Sequence, residues 1–320
     1  MKRTGIAPES HLQANTFRRK LIDQFIRFGF LCSGLLVTAI LLLIFGFLIS
    51  KSWPALIEIG PMEFLTGQRW MPSSPRGAGY GALPMILSSI VVTVAALIIA
   101  VPWGVGAAIF INEIAPTKLK ELLKPFIEML AIFPSVVLGF FGLVALGPFI
   151  ANLFGLSSGL NGLTGAIVLA VMSLPTIVSI SEDALNSVPN AYREASYGLG
   201  ANRWETIARV SLPSASSGII AGVMLGFGRA VGETMAILMA AGNALNMPIT
   251  EILGMPVPTL MKSVRTLTAN IAIEGSDVAW GSLHYHSLFV LALILFVITF
   301  AVNLVADIMH NRFHKLNRAR

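Results

Sequence analysis

The chain has 320 residues, 55% of them hydrophobic and only 12% charged, against roughly 25% charged in soluble domains. That shortage excludes an ordinary soluble domain or a disordered chain, and a single cysteine excludes an internal disulfide framework. A mean hydropathy of +0.78 with 29 glycines predicts an all-α polytopic membrane protein, since glycine is commoner in transmembrane helices than in soluble ones.

A hydrocarbon core about 30 Å thick needs about 20 apolar residues of helix. Six runs meet that length: 28–50, 83–111, 129–146, 163–180, 216–241 and 287–307. The first outlasts a signal-peptide apolar region of about 7–15 residues and is read as a retained span, with Cys32 a small lipid-facing or packing residue. Pro84, Pro102, Pro134 and Pro175 lie in or beside these runs and are expected to start or kink helices. The organisation that follows is an amino-terminal segment (1–27), a first span (28–50), an outer loop (51–82), a membrane core (83–308) with a long inner loop (181–213), and a tail (309–320).

Basic residues gather on alternate connections. The amino-terminal segment holds Lys2, Arg3, Arg18, Arg19, Lys20 and Arg27; later segments hold Lys118, Lys120 and Lys124, then Arg193, Arg203 and Arg209, then Arg312, Lys315, Arg318 and Arg320. Lysine and arginine accumulate on the cytoplasmic side, so both termini are predicted cytoplasmic in a plasma membrane. Topology and anionic lipid headgroups account for the net charge of +6, leaving no call for nucleic acid. Glu128 and Glu182, near span ends, are expected to be solvated interface charges.

The inner loop is too long and too patterned for a simple turn. Asn190 after Pro189 can cap a helix that Gly200 ends in a left-handed conformation. Asn202 and Glu205 can cap a second short helix, expected to stop before Pro213. Ala195, Leu199, Trp204, Ile207 and Val210 then lie on apolar faces that pack under the bundle or meet a partner.

In the fifth run, Arg229 would cost about 2.5–3.5 kcal/mol at the centre of a span, so it is expected to face protein or water. Glu233 stands four residues on, one turn along a continuous helix, as its expected partner. Gly222 and Gly226, and Gly228 and Gly232, form two GxxxG patterns that allow close helix approach. An ion pair that merely fixes register is one reading; a charged element of a translocation path or gate is the other.

Glu194-Ala195-Ser196, Gly200 and Val210-Ser211-Leu212-Pro213 resemble the EAA loop of ABC-importer permeases, with Ser196 and Val210 as mild departures. That resemblance implies a type I importer permease with six transmembrane helices, whose inner hairpin docks on a separate ATPase carrying ATP and magnesium. In it, Glu194, Ala195, Ser196, Gly200, Val210, Leu212 and Pro213 serve coupling. This chain itself has no Gly-Lys pair and hence no phosphate-cradling GxxxxGK[ST] loop.

Gly228-Arg-Ala-Val-Gly-Glu-Thr-Met-Ala236, Ser52-Trp-Pro54, Tyr80-Gly-Ala-Leu-Pro84 and the run from His284 to Phe289 resemble permeases of the phosphate-specific transport system, the PstC-type subunit more than the PstA-type. The resemblance implies a PstA-type permease partner, a PstB-type ATPase dimer and an extracytoplasmic PstS-type phosphate-binding protein. Residue chemistry alone also allows another oxyanion, or an ion-coupled secondary transporter using Arg229 and Glu233. No catalytic residue, cofactor or metal is assigned to this chain. His284 and His286 stand without a nearby third ligand in sequence and read as anchors at the membrane interface.

Overall fold

The computed structural model describes residues 10–74, 77–252 and 255–318, with side chains for 23–74, 77–250, 257–305, 307 and 308. Arg27 apart, the basic residues expected at the two termini fall outside those side chains. The chain divides into two units, 1–51 and 52–320. The first comprises most of α1 (Ser10–Ile59), an apolar helix with Pro54 inside it and no packed core of its own.

The second unit is a helical bundle with short ancillary elements. A one-and-a-half-turn α2 (Pro61–Thr66) and the strand pair β1 (Trp70–Met71) and β2 (Gly79–Tyr80) lead into α3 (Leu83–Ile109). Pro84 opens α3, where its missing N–H lacks a helical partner anyway. The last turn of α3 widens to a π-turn at Phe110–Ile114. There follow α4 (Thr117–Ile132), then α5 (Ser135–Phe141), a second wide turn (Gly142–Leu146) and α6 (Gly147–Phe154), which together form one span.

At the centre stands α7 (Gly162–Asn186), packed against α3, α4 and α5 before it and against two later elements, α10 (Leu212–Gly232) and α11 (Met235–Ala240). Its core is built from small residues. Ala96 and Ala100 of α3, Ala166 and Ala170 of α7, and Ala230 of α10 are buried together with Val92, Leu169 and Ile237. Apolar area gains nothing by leaving lipid for protein, so close backbone approach and van der Waals contact hold such helices. Ile177 shows how tight the fit is: Cβ atoms added at Gly104 and Gly226 would lie 2.7 Å and 2.6 Å from its side chain.

Between α7 and α10 run two short helices, α8 (Asn190–Gly198) and α9 (Arg203–Thr206), and a π-turn at Ile207–Ser211. After α11 come an antiparallel strand pair, β3 (Ile249–Ile252) with β4 (Met255–Pro258), then α12 (Leu267–Glu274) and α13 (Leu283–Arg318). Among the described residues, six helices are long and apolar enough to cross a membrane.

The first and fourth spans run longer than expected, Asp23–Ile59 and Gly162–Asn186 against 28–50 and 163–180, and two others shift. The third covers Ser135–Phe154 rather than 129–146. Phe133, extended at ψ 128 before Pro134, separates α4 from it, as the ring of a following proline disfavours helical backbone. The fifth starts earlier and ends sooner than 216–241, covering Arg203–Gly232. Pro213 does not end the helical run, which continues from α9 through the π-turn at Ile207–Ser211 into α10, with Pro213 just after that wide turn.

Candidate functional site

The hairpin of α8 and α9 forms largely from local signals. Asn202 accepts from the Glu205 N–H at 2.9 Å and the Glu205 carboxylate accepts from the Asn202 N–H at 2.8 Å, a reciprocal capping box. Gly200 turns the chain at φ +86°, a conformation strained for any residue with a Cβ. Asn190 is the first residue of α8 rather than a side-chain cap; its Oδ1 accepts from Arg193 instead. The Ser196 hydroxyl bonds that of buried Thr206 at 2.9 Å and ties the two helices together. Where a second alanine would only allow close approach, serine adds a cross-link.

The apolar faces split. Ile207 is buried and Val210 and Leu212 half-buried, whereas Leu199 is 91% and Trp204 67% exposed, with Tyr192, Tyr197, Glu194, Ala195 and Pro213 also exposed. The hairpin therefore packs one edge under its own bundle and presents an apolar ridge outward.

A polar network roots it. Arg193 donates Nε and Nη2 to Glu113 Oε1 at 3.1 Å and 2.8 Å, Nη2 to the Leu185 carbonyl and Nη1 to the Val188 carbonyl. Nearby, Glu182 is 2% exposed and holds Lys120 at 2.9 Å and Lys124 at 2.7 Å. Glu182 is thus a buried anchor for α4, not the solvated charge expected from its position near a span end. The same lysine reaches Asp183 at 3.0 Å. The hydrogen bond to Glu182, then that to Asp183, raises Lys124 from the ordinary 10.5 to about 12.

The charged pair of the fifth span is not a pair. The helix ends at Gly232, and Glu233 is extended at ψ 130. Its carboxylate accepts from the Ala236 N–H at 3.1 Å, satisfying a free donor in the first turn of α11. Buried Thr268 donates to the Glu233 carbonyl at 3.0 Å and fixes the break. Arg229, half-buried, donates to the Ala131 carbonyl at 3.4 Å near the end of α4, and no carboxylate pairs with it among the described residues. The break turns Glu233 off the helical face that would have brought it under Arg229.

The glycines also divide. Gly222 lies against Ile180 and Ser181, and Gly226 against Ile177, with Gly218 continuing the row against Ala184. Gly228 and Gly232 have nothing within 4 Å of an added Cβ, so their face is open in this chain.

At the opposite end of the bundle, Glu274 collects three donors. Trp70 Nε1 lies 2.9 Å and 3.0 Å from its oxygens, Arg265 Nη1 at 3.2 Å and His284 Nε2 at 2.8 Å. His284, at the head of the sixth span, is therefore also tied into an internal network, through a carboxylate ten residues upstream. A cavity of about 520 Å³ adjoins it, lined by Trp70, Glu274, Asp277 and His284 among others. Gly155-Leu-Ser157-Ser-Gly159 has the spacing of a nucleophile elbow, but helix α6 leads into it, not a strand, so the sharp strand-to-helix turn is lacking.

Residues 100–318 match the family described as "Binding-protein-dependent transport system inner membrane component". The chain belongs to that family. Among relatives of these inner-membrane components, a probable ABC transporter permease protein, YqgH of Bacillus subtilis, is 41% identical over 256 residues, covering 79% of each chain. A phosphate transport system permease protein, PstC of Mesorhizobium japonicum, is 38% identical over 281 residues, covering 82% of each. The crystal structure of a bacterial ABC transporter that imports alginate contains a chain matching 92% of this one and 99% of its own length, at TM-score 0.59 and 15% identity. That likeness places the bundle in the ABC-importer permease fold. A multi-pass plasma-membrane protein of the PstC-like permease group is the result.

Proposed function

We propose that this chain is the PstC-type permease of an ATP-driven importer of inorganic phosphate, with its hairpin and both termini in the cytoplasm. A PstA-type permease would complete the path, a PstB-type ATPase dimer holding ATP and magnesium would drive it, and a PstS-type binding protein would deliver phosphate from outside. The observation that carries this reading is the hairpin: its EAA-like sequence presents Leu199, at the turn, and Trp204, on α9, outward from two short helices braced against the bundle. A rigid helical lever of this kind suits a groove on a nucleotide-driven partner.

Arg229 supports an anionic substrate. A half-buried guanidinium that meets a carbonyl, not a carboxylate, keeps its charge available to offset the hydration an anion loses on entering the bundle. Glu233 acts on the path through the helix break it stabilises. A proton relay between the two draws no support from this geometry. Phosphate is favoured over sulfate by the kinship with the Mesorhizobium PstC. The test is uptake of labelled phosphate and sulfate by vesicles carrying the assembled complex. Phosphate should accumulate with ATP and sulfate should not, and Arg229→Ala should lower uptake with the complex intact. Preferred uptake of sulfate would refute the substrate assignment.

A further inference from the structure

We infer that Arg193 and Glu113 form the mechanical joint through which movement of the hairpin enters the membrane bundle; this rests on the coupling reading above. Two structural elements end and a third begins at this point. Glu113 lies in the wide turn closing α3, the Leu185 and Val188 carbonyls at the end of α7, and Arg193 in the second turn of α8. One guanidinium holds all three through bonds of 2.7–3.1 Å. The Glu113 carbonyl also accepts from Arg203, the first residue of α9. A single residue of α3 therefore grips both arms of the hairpin, one by its side chain and one by its backbone.

The chemistry suits a stiff link. Arginine presents a planar fork of donors that cannot lose its charge, and each bond is charge-assisted. The Leu185 carbonyl, in the last turn of α7, otherwise meets only backbone N–H groups of the chain leaving the helix, Val188 among them at 3.3 Å, so a cation there is favoured by the helix dipole as well. Arg193 and Glu113 side chains are only 14% and 5% exposed, so water competes little for either. By contrast, Leu199 and Trp204 project from the far side of the hairpin and make none of these bonds. Docking and transmission thus fall on different residues: the ridge meets the motor, and the Arg193 joint passes displacement to α3 and α7, the two most closely packed spans of the core.

The separation supplies the test. In vesicles holding the full complex, ATP hydrolysis, phosphate uptake and ATPase retention are measured for Arg193→Ala, Arg193→Lys, Glu113→Gln and Leu199→Asp. Arg193→Ala should retain the ATPase and hydrolysis within about twofold while ATP consumed per phosphate moved rises about tenfold, a change in the range of coupling-route substitutions. Arg193→Lys and Glu113→Gln, which keep part of the bonding, should fall between. Proportional loss of hydrolysis and uptake, or unchanged uptake, in Arg193→Ala would overturn the joint. Should Arg193→Ala not assemble, the same ratio in Glu113→Gln decides. Leu199→Asp should release the ATPase; if it does not, the coupling reading fails, whatever Arg193 shows.

Discussion

The ammonium of Lys124 sits 2.7 Å from Oε2 of Glu182, and Lys120 holds the other oxygen at 2.9 Å, so one buried carboxylate anchors α4 to the end of α7. The two sides of this contact are unequal. Glu182 is 2% exposed, whereas the lysines are about a third exposed and can turn to water. Replacing both lysines by methionine leaves an unpaired buried charge and should cost about 3–5 kcal/mol. Glu182→Gln, which frees two solvated ammonium groups, should cost about 1 kcal/mol. Thermal unfolding of the purified chain in detergent gives both values, and the reverse order would remove Glu182 as the anchor.

The Lys124 contact also has a pH signature. Its folded pKa lies above the ordinary 10.5, at about 12, so the charged form is favoured by folding. The stabilisation is complete below pH 10.5 and fades as pH rises through 12. The difference in unfolding temperature between the natural chain and Lys124→Met should stay constant from pH 8 to 10 and narrow above 10.5. A difference that shrank between pH 6 and 8 would point to another group.

The glycine rows predict opposite outcomes for one substitution. Gly226→Ala drives a methyl to 2.6 Å from Ile177 Cγ1, a core atom with no room to move, and should cost about 1–3 kcal/mol by overpacking. Ile177→Ala should relieve part of that loss. Gly228→Ala meets nothing in the chain and should leave stability unchanged or raise it by about 0.5–1 kcal/mol through helix propensity. Differential scanning of the three variants checks the contrast.

Arg229 and Glu233 should separate as well. Glu233→Ala removes the acceptor for the Ala236 N–H and should destabilise α11 by about 1 kcal/mol, the cost of a lost helix-end acceptor. Glu233→Gln keeps an oxygen there and should retain most of both stability and uptake. Arg229→Ala should leave stability nearly untouched and reduce uptake. Equal loss of uptake in Arg229→Ala and Glu233→Gln would restore a paired role for the two charges.

Much of this architecture could be read without coordinates because its signals are local. Apolar runs marked the spans, and the hairpin followed from a glycine at the turn and an Asn202–Glu205 cap three residues apart. What escaped was either a break inside an apolar run or a contact between distant residues. Pro134 splits a run in which the end of α4 (129–132) and α5 are both apolar, so hydropathy merges the tip of an amphipathic helix with a span. At Gly232 and Glu233 the helix stops without a proline, and the only clue is a carboxylate three residues before the Ala236 N–H it receives. Glu113 and Arg193 stand 80 residues apart, and Lys124 and Glu182 58 apart, beyond the reach of any periodicity. Lys124 and Arg193 read as membrane-orienting charges and Glu182 as a solvated interface charge because those roles need no partner.

The central claim is that a separate ATPase, acting through the hairpin, drives solute through this bundle. Its most direct measurement is uptake of labelled phosphate into sealed vesicles containing the reconstituted complex, with ATP, with a non-hydrolysable analogue, and with the proton gradient collapsed. Uptake should require hydrolysable ATP and persist without the gradient. Uptake by this chain alone, driven by the gradient and indifferent to ATP, would contradict the account.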